Sequence, residues 1–142
     1  MKYDDIIVNT ITRIILPFIL SFGIYLVFHV HLSPGGGFSG GTVIGSSFVL
    51  FSLSYGIAIK EKKLPHSTTS VLESFGGLWF IALGMVAVFM GYNFLVNRPI
   101  FPAGEIGTLF SSGMVLLVNI GLGIKVGSTI ISLFDSLGGE DV

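Results

Sequence analysis

Four long apolar segments with almost no charge constrain this chain more than any other feature of its sequence. A helix needs about 20 residues to cross a hydrocarbon core of about 30 Å, and backbone polar groups in lipid must be satisfied within the segment itself. The segments are continuously apolar and do not alternate, which disfavours a transmembrane β-barrel. We therefore predict an all-α integral membrane protein with four transmembrane helices, at about 10–29, 40–59, 75–96 and 109–134.

Charge and composition agree with a bilayer environment. Only 11% of the 142 residues are charged, against about a quarter in soluble domains. The chain has no cysteine, which excludes disulfides and thiolate metal sites. Acidic residues in the opening "MKYDDIIVNT" argue against a signal peptide, so the first segment should be retained. The connections are short, which predicts a single membrane domain over residues 1–142.

Basic residues predict the orientation. Four crossings place both termini and the polar 60–74 connection on one side, which holds Lys2 and the three lysines of "KEKK". The other side holds only Arg98. The positive-inside rule then places both termini in the cytoplasm. The Pro/Gly-rich connection between the first two helices faces outward.

Small residues recur at helical spacing on three of the segments. Lipid tails are as apolar as leucine, so membrane helices associate through close packing and polar contacts. The plain alternative is reduced side-chain bulk, because glycine is common in membrane helices. With so few polar groups, we predict a subunit packed into a larger membrane assembly. The predicted packing positions are Gly45, Gly84, Gly91, Gly123 and Gly127.

Lys125 is the most unusual charge, because it lies within the fourth segment. We place it ~6 Å from the midplane on the cytoplasmic half. Snorkelling to the headgroups is the structural alternative, but the depth favours a buried partner or a hydrated cavity. Buried lysines readily exchange protons, which makes Lys125 a candidate for an ion or proton path. Asn119 faces another direction and could hydrogen-bond a neighbouring helix.

Several other charges have simple explanations. Arg13 lies about one turn inside the first helix and can snorkel. Glu73 and Glu105 lie at the starts of the third and fourth segments, where the helix dipole stabilises an acid. Glu105 is also a candidate for the outer mouth of an ion path. Asp135 is predicted to be a solvated helix end.

His29 and His31 are path candidates at the outer boundary, although an ordinary interfacial pair needs no function. Two residues apart on a helix, they would point about 200° from each other. Two imidazoles are also too few for a zinc site. We predict no metal and no cofactor.

The stretch "HVHLSPGGGFSGG", residues 29–41, is the least ordinary motif. Pro34 opposes a helix, and the glycines after it admit backbone angles that other residues resist. Phosphate-binding patterns need other spacings and a preceding strand. Irregular backbone at membrane depth needs cover from protein or water. The run therefore predicts a re-entrant or tightly packed helix crossing, with Phe38 as an anchor and helix two starting at Gly40 and Gly41.

This stretch resembles the signature of the MnhB family, one of the small membrane subunits of the Mrp-type multi-subunit Na⁺/H⁺ antiporters. The segment "LFSSGMVLLVNIGLGIKVGST", residues 109–129, is also similar to the last helix of that family. The resemblance spans nearly the whole chain. The motif maps onto two histidines, His29 and His31, and onto Pro34, Gly35, Gly36, Gly37, Phe38, Gly40 and Gly41.

The resemblance implies a small integral subunit of an assembly of about seven hydrophobic proteins in the bacterial plasma membrane. Such an assembly exchanges cytoplasmic Na⁺ for external H⁺. It implies no redox cofactor and no enzymatic role for this subunit. The alternative is a structural membrane subunit of a related respiratory complex, such as a membrane-bound hydrogenase.

Overall fold

The computed structural model describes residues 3–29, 36–95 and 113–138, and these parts of the chain are helical with short turns. Four helices are long and apolar enough to cross a membrane. A fifth, short helix lies between the second and third of them. The elements are α1 (Tyr3–Phe28), α2 (Gly36–Tyr55), α3 (Ile57–Lys63), α4 (His66–Phe89) and α5 (Met114–Gly138).

The four predicted segments match α1, α2, α4 and α5, but their ends differ. α1 begins at Tyr3 and α4 at His66, earlier than the predicted residues 10 and 75. Polar residues at these ends continue the helical hydrogen bonding beyond the apolar segment, which hydropathy does not register. α2 ends at Tyr55 because Gly56 has a φ of 88°. The predicted continuation to residue 59 is therefore wrong.

The predicted polar connection at 60–74 contains more helix than expected. It includes the end of α3 and the first turns of α4, separated by Pro65. Pro65 has extended backbone angles and immediately precedes α4. A proline is tolerated there because the first amide groups of a helix have no intrahelical carbonyl partner.

α2 and α5 form the centre of the bundle. α1 packs on α2, and α4 packs on α5. Glycines on α2 meet successively later glycines on α5, so these two helices run parallel. The outer helices run antiparallel to their central neighbours: Thr12 of α1 contacts Ser54 near the end of α2, and Trp79 of α4 contacts Leu117 near the start of α5.

The outer surface of the bundle carries large apolar side chains, whereas small residues lie between its helices. Phe18 is 72% exposed and Phe89 is 82% exposed. Hydroxyl groups donate to carbonyls of their own helices, as Ser21 does to Pro17 at 2.7 Å. In lipid, a hydroxyl without a hydrogen-bond partner would cost on the order of several kcal/mol, as any unsatisfied buried polar group does. This pattern fits a multi-pass membrane protein surrounded by lipid or by other membrane proteins.

Candidate functional site

The crossing of α2 and α5 is built on backbone contact. The Gly37 amide donates to Asn119 Oδ1 at 2.8 Å, and Asn119 Nδ2 donates to the Val115 carbonyl at 2.8 Å. A Cβ atom added at Gly37 would collide with the Asn119 carbonyl oxygen. Asn119 thus bridges two helices and satisfies an amide at the start of α2, where helical amides lack carbonyl partners.

Two pairs of glycines continue this crossing in register with the Gly37–Asn119 contact. A Cβ at Gly41 would lie 2.6 Å from the Gly123 carbonyl oxygen, and a Cβ at Gly45 would lie 3.0 Å from the Gly127 carbonyl oxygen. The contacts recur every four residues on both helices, which keeps them on one face of each. Small residues at this spacing let two backbones approach closely.

An adjacent face of α2 meets α1. A Cβ at Gly40 would lie 2.9 Å from the Gly23 carbonyl oxygen, and Val27 covers Gly40 from the side. The glycine motif therefore serves two interfaces of one helix.

Within the motif, the helix starts earlier than predicted. α2 already begins at Gly36, whose φ of 48° lies in the left-handed region that glycine adopts without steric cost. Gly40 and Gly41, predicted as the helix start, lie inside it. Phe38 is 62% exposed on the outer surface of this chain. The path and motif residues His31, Pro34, Gly35 and Glu105 lie outside the described residues.

His29 occupies the turn after α1. Its Nδ1 lies 3.2 Å from the Tyr25 carbonyl oxygen, and its ring stacks on the Tyr25 ring with centroids 4.0 Å apart. In the described parts of the chain, no group of three or more potential metal ligands comes together.

The α4–α5 interface places Lys125 beside Glu73. A Cβ at Gly76 would lie 2.8 Å from Lys125 Cβ, so the glycine leaves room for the lysine stem. Lys125 Nζ reaches to 4.0 Å from Glu73 Oε1. The side chains are 45% and 34% exposed, respectively. The lysine has a partner on the neighbouring helix, but this chain does not bury the pair.

This ion pair lies deep along the membrane helices, so its exposure to lipid would be energetically costly. Lys125 follows Met114 by eleven residues, which is about 17 Å along α5. Glu73 lies seven residues into α4, within the helix and not at its start as predicted. A charge at the centre of a membrane helix costs about 2.5–3.5 kcal/mol on insertion scales. Lipid is therefore a poor neighbour for the exposed side of this pair.

Two glycines that were predicted as packing positions of the third membrane helix have surroundings that the sequence did not indicate. The ring of Phe94 lies directly over Gly84, so the loop after α4 folds back on the helix. Gly91 was predicted to lie on a packing face of this helix, but α4 ends at Phe89. It follows the end of α4 with a φ of 81°, and a Cβ there would meet nothing within 4 Å.

A second ion pair, between Lys60 and Asp135, was missed from the sequence. Lys60 Nζ donates to Asp135 Oδ2, which joins α3 to the end of α5. Their side chains are only 2% and 13% exposed, so the expectation that Asp135 is a solvated helix end is wrong. No local sequence pattern predicts this pair, because the partners are far apart in sequence and α3 was predicted to be part of a polar connection.

Comparisons with known proteins show which family this chain is similar to. A family model described as a domain related to the MnhB subunit of Na⁺/H⁺ antiporter matches residues 7–132. A Na⁺/H⁺ antiporter subunit from Alkalihalophilus pseudofirmus is 32% identical over 138 residues, covering 92% of this chain and 94% of the relative. A Staphylococcus haemolyticus protein that carries the name antiporter subunit mnhB2 is 33% identical over 126 residues, covering 83% of this chain and 89% of the relative.

A solved structure has the same fold. A chain of an archaeal respiratory complex, the membrane-bound sulfane sulfur reductase, superposes with a TM-score of 0.77 at 31% identity. The match covers 92% of this chain and 56% of that one, so this chain spans little more than half the length of its structural relative. With a family model that matches most of its length and relatives above 30% identity, this chain belongs to the MnhB family.

Proposed function

We propose that this chain is a small integral subunit of a multi-subunit monovalent cation/proton antiporter that exchanges cytoplasmic Na⁺ for external H⁺. Membership of the MnhB family carries this proposal. The relative from Alkalihalophilus pseudofirmus is named as a Na⁺/H⁺ antiporter subunit. The chain works in the bacterial plasma membrane, and its partners are other hydrophobic subunits of the complex.

Within that complex, Lys125 and Glu73 form a polar step on an ion or proton path. Their separation of 4.0 Å allows attraction without a direct hydrogen bond. Their partial exposure leaves room for water or for a polar group of a neighbouring subunit. The plain alternative is an ion pair that only holds α4 against α5.

Antiport measurements on paired variants distinguish these two roles. We expect Lys125→Ala and Glu73→Gln each to lower Na⁺-dependent proton exchange in everted vesicles by about ten-fold, equivalent to ~1.4 kcal/mol. The matched control is Lys62→Ala, which removes an exposed lysine from α3. All variants are compared at equal amounts of assembled complex.

The swapped pair Lys125→Glu with Glu73→Lys makes the test sharper. A purely structural ion pair should tolerate the exchange and restore transport. A path residue that needs the ammonium on α5 should remain impaired. Wild-type exchange rates in Lys125→Ala, with normal assembly, would remove this residue from the path.

The orientation is a separate part of the proposal. The start of α1 and the end of α5 lie at the same end of the bundle, because Asn9 accepts a hydrogen bond from Tyr55 and Asp135 pairs with Lys60. Positive charge concentrates at this end, so we place it in the cytoplasm.

Cysteine labelling tests this orientation, since the chain has no natural cysteine. A single Lys62→Cys variant in intact cells should resist a membrane-impermeant maleimide and should react with it after the membrane is opened. Labelling of Lys62→Cys in intact cells would reverse the assignment. The cysteine-free chain serves as the background control.

A second candidate function is a structural subunit of a respiratory membrane complex. The observation in its favour is the likeness to a chain of the archaeal sulfane sulfur reductase. The proteins that co-purify with this chain decide between the two. Redox subunits would favour the respiratory complex, whereas further antiporter subunits would favour transport.

A further inference from the structure

Three neighbouring cavities lie in a row along one side of the bundle and share lining residues. The first has a volume of about 360 Å³ and is lined by Arg13, Tyr55 and Lys63 among others. The second, of about 180 Å³, shares Phe51 and Lys63 with it. The third, of about 300 Å³, shares Phe48 and Leu64 with the second. We name this row of three cavities the α1–α3 groove.

One end of the α1–α3 groove is basic. Among the described residues, Arg13 forms no ion pair, and Lys63 Nζ lies 5.1 Å from the centre of the Phe51 ring. Both cations line the first cavity. The Tyr55 hydroxyl, which donates to the Asn9 carbonyl at 3.1 Å, lies at the same end. Tyrosine and basic residues are typical of the level of lipid headgroups.

The other end of the groove is apolar. Its walls come from Ile24 and Val27 on α1, Ile44 on α2 and Leu72 on α4, with α5 behind them. Ile24 is 50% exposed and Leu72 is 36% exposed, so this end opens to the outer surface of the chain. The groove therefore joins a site for a negative charge to a site for a flexible hydrocarbon chain.

We propose that the α1–α3 groove binds an anionic phospholipid, with its phosphate at Arg13 and Lys63 and an acyl chain along the apolar end. Two cations beside Tyr55 favour a lipid headgroup over the apolar face of a neighbouring helix. An acyl chain is narrow enough to follow the three cavities. A free anion would leave the apolar end unused.

The selectivity of this site comes from its charges. An acyl chain leaves hydrocarbon to enter the groove, so its burial adds little net driving force. Each basic residue near the membrane surface strengthens the binding of anionic lipid by about five-fold. The groove should therefore distinguish an anionic from a zwitterionic headgroup and should be indifferent to small changes in chain length. This inference depends on membrane integration and not on ion transport.

Site-directed photo-crosslinking tests the proposal on the complex that contains this chain. A benzophenone maleimide is attached to Leu72→Cys, and the complex is reconstituted in vesicles with equal amounts of phosphatidylglycerol and phosphatidylcholine. Mass spectrometry after illumination gives the ratio of the two lipid adducts. Leu78→Cys is 66% exposed outside the groove and provides the bulk-lipid reference. Ile24→Cys serves as a second groove position if Leu72→Cys fails to assemble.

We expect an excess of phosphatidylglycerol adducts at Leu72→Cys over the reference position. Arg13→Gln and Lys63→Gln should each lower this excess by about five-fold. Lys62→Gln, on the same short helix but outside the groove, should leave it unchanged. Equal adduct ratios at the groove and reference positions would overturn the proposal. So would crosslinks to a polypeptide, which would identify the groove as a subunit interface.

Discussion

Replacing Gly41 with leucine should prevent α2 and α5 from meeting and should eliminate the chain from the assembled complex. The first added carbon would lie 2.6 Å from the Gly123 carbonyl oxygen and 3.0 Å from Val126 Cβ. The backbone oxygen cannot rotate aside, so the helices must separate. Overpacking by even one or two methylenes typically costs about 1–3 kcal/mol, and leucine adds more. Separation would also lengthen the hydrogen bond between Gly37 and Asn119.

A graded series makes this prediction specific. Gly41→Ala should weaken assembly less than Gly41→Leu, in the order of added volume. Gly77→Ala is the matched control, because a Cβ there would have its nearest neighbour, Lys125 Nζ, at an ordinary 3.8 Å. The measurement is the amount of chain that co-purifies with a tagged partner, together with the thermal stability of the complex. Normal recovery of Gly41→Leu would contradict close contact between α2 and α5.

The second large effect is expected at the buried ion pair. Asp135→Ala would leave the Lys60 ammonium without its partner in a position only 1% exposed. Removing one member of a buried pair usually destabilises a protein by about 3–5 kcal/mol, since the remaining charge stays desolvated. We expect Asp135→Ala to lower the thermal stability of the complex and to increase proteolysis near α3.

The double variant Lys60→Met with Asp135→Leu separates charge from shape. It removes both charges while retaining apolar volume, and such replacements are often neutral or stabilising. We expect it to recover most of the stability lost in Asp135→Ala. Lys62→Met, which removes an exposed lysine from α3, should have little effect. If Asp135→Ala were as stable as the wild type, Lys60 would have another partner or access to water.

The sequence predicted the number and type of the membrane helices, because hydropathy follows directly from side-chain chemistry. Their ends were predicted less well, since a helix such as α4 extends into polar residues that a bilayer does not exclude. This shift matters for Glu73. The sequence placed Glu73 at a helix start, where the helix dipole would stabilise its charge. In the structure, α4 begins at His66 and carries Glu73 beside Lys125.

Contacts between distant residues were the least predictable part. The helical spacing of small residues indicated that Gly45 and Gly127 lie on packing faces, but spacing does not say which helix each face meets. The Lys60–Asp135 pair depends on α3 lying against α5, and a seven-residue helix rich in lysine resembles an ordinary polar connection. The Lys125 pair was anticipated only as a need for some partner, because depth defines the energetic cost and not the identity of the neighbour.

The double-sided glycine packing of α2 has a consequence for biogenesis. α2 carries glycine in place of large side chains on two faces. It is also the least hydrophobic of the four membrane helices, with a mean hydropathy of 1.3 against 1.8–2.1 for the others. We expect such a segment to partition into lipid less strongly than the other three. α2 should therefore complete its insertion only when α1 is already in the membrane beside it, and should settle fully once α5 has been synthesised.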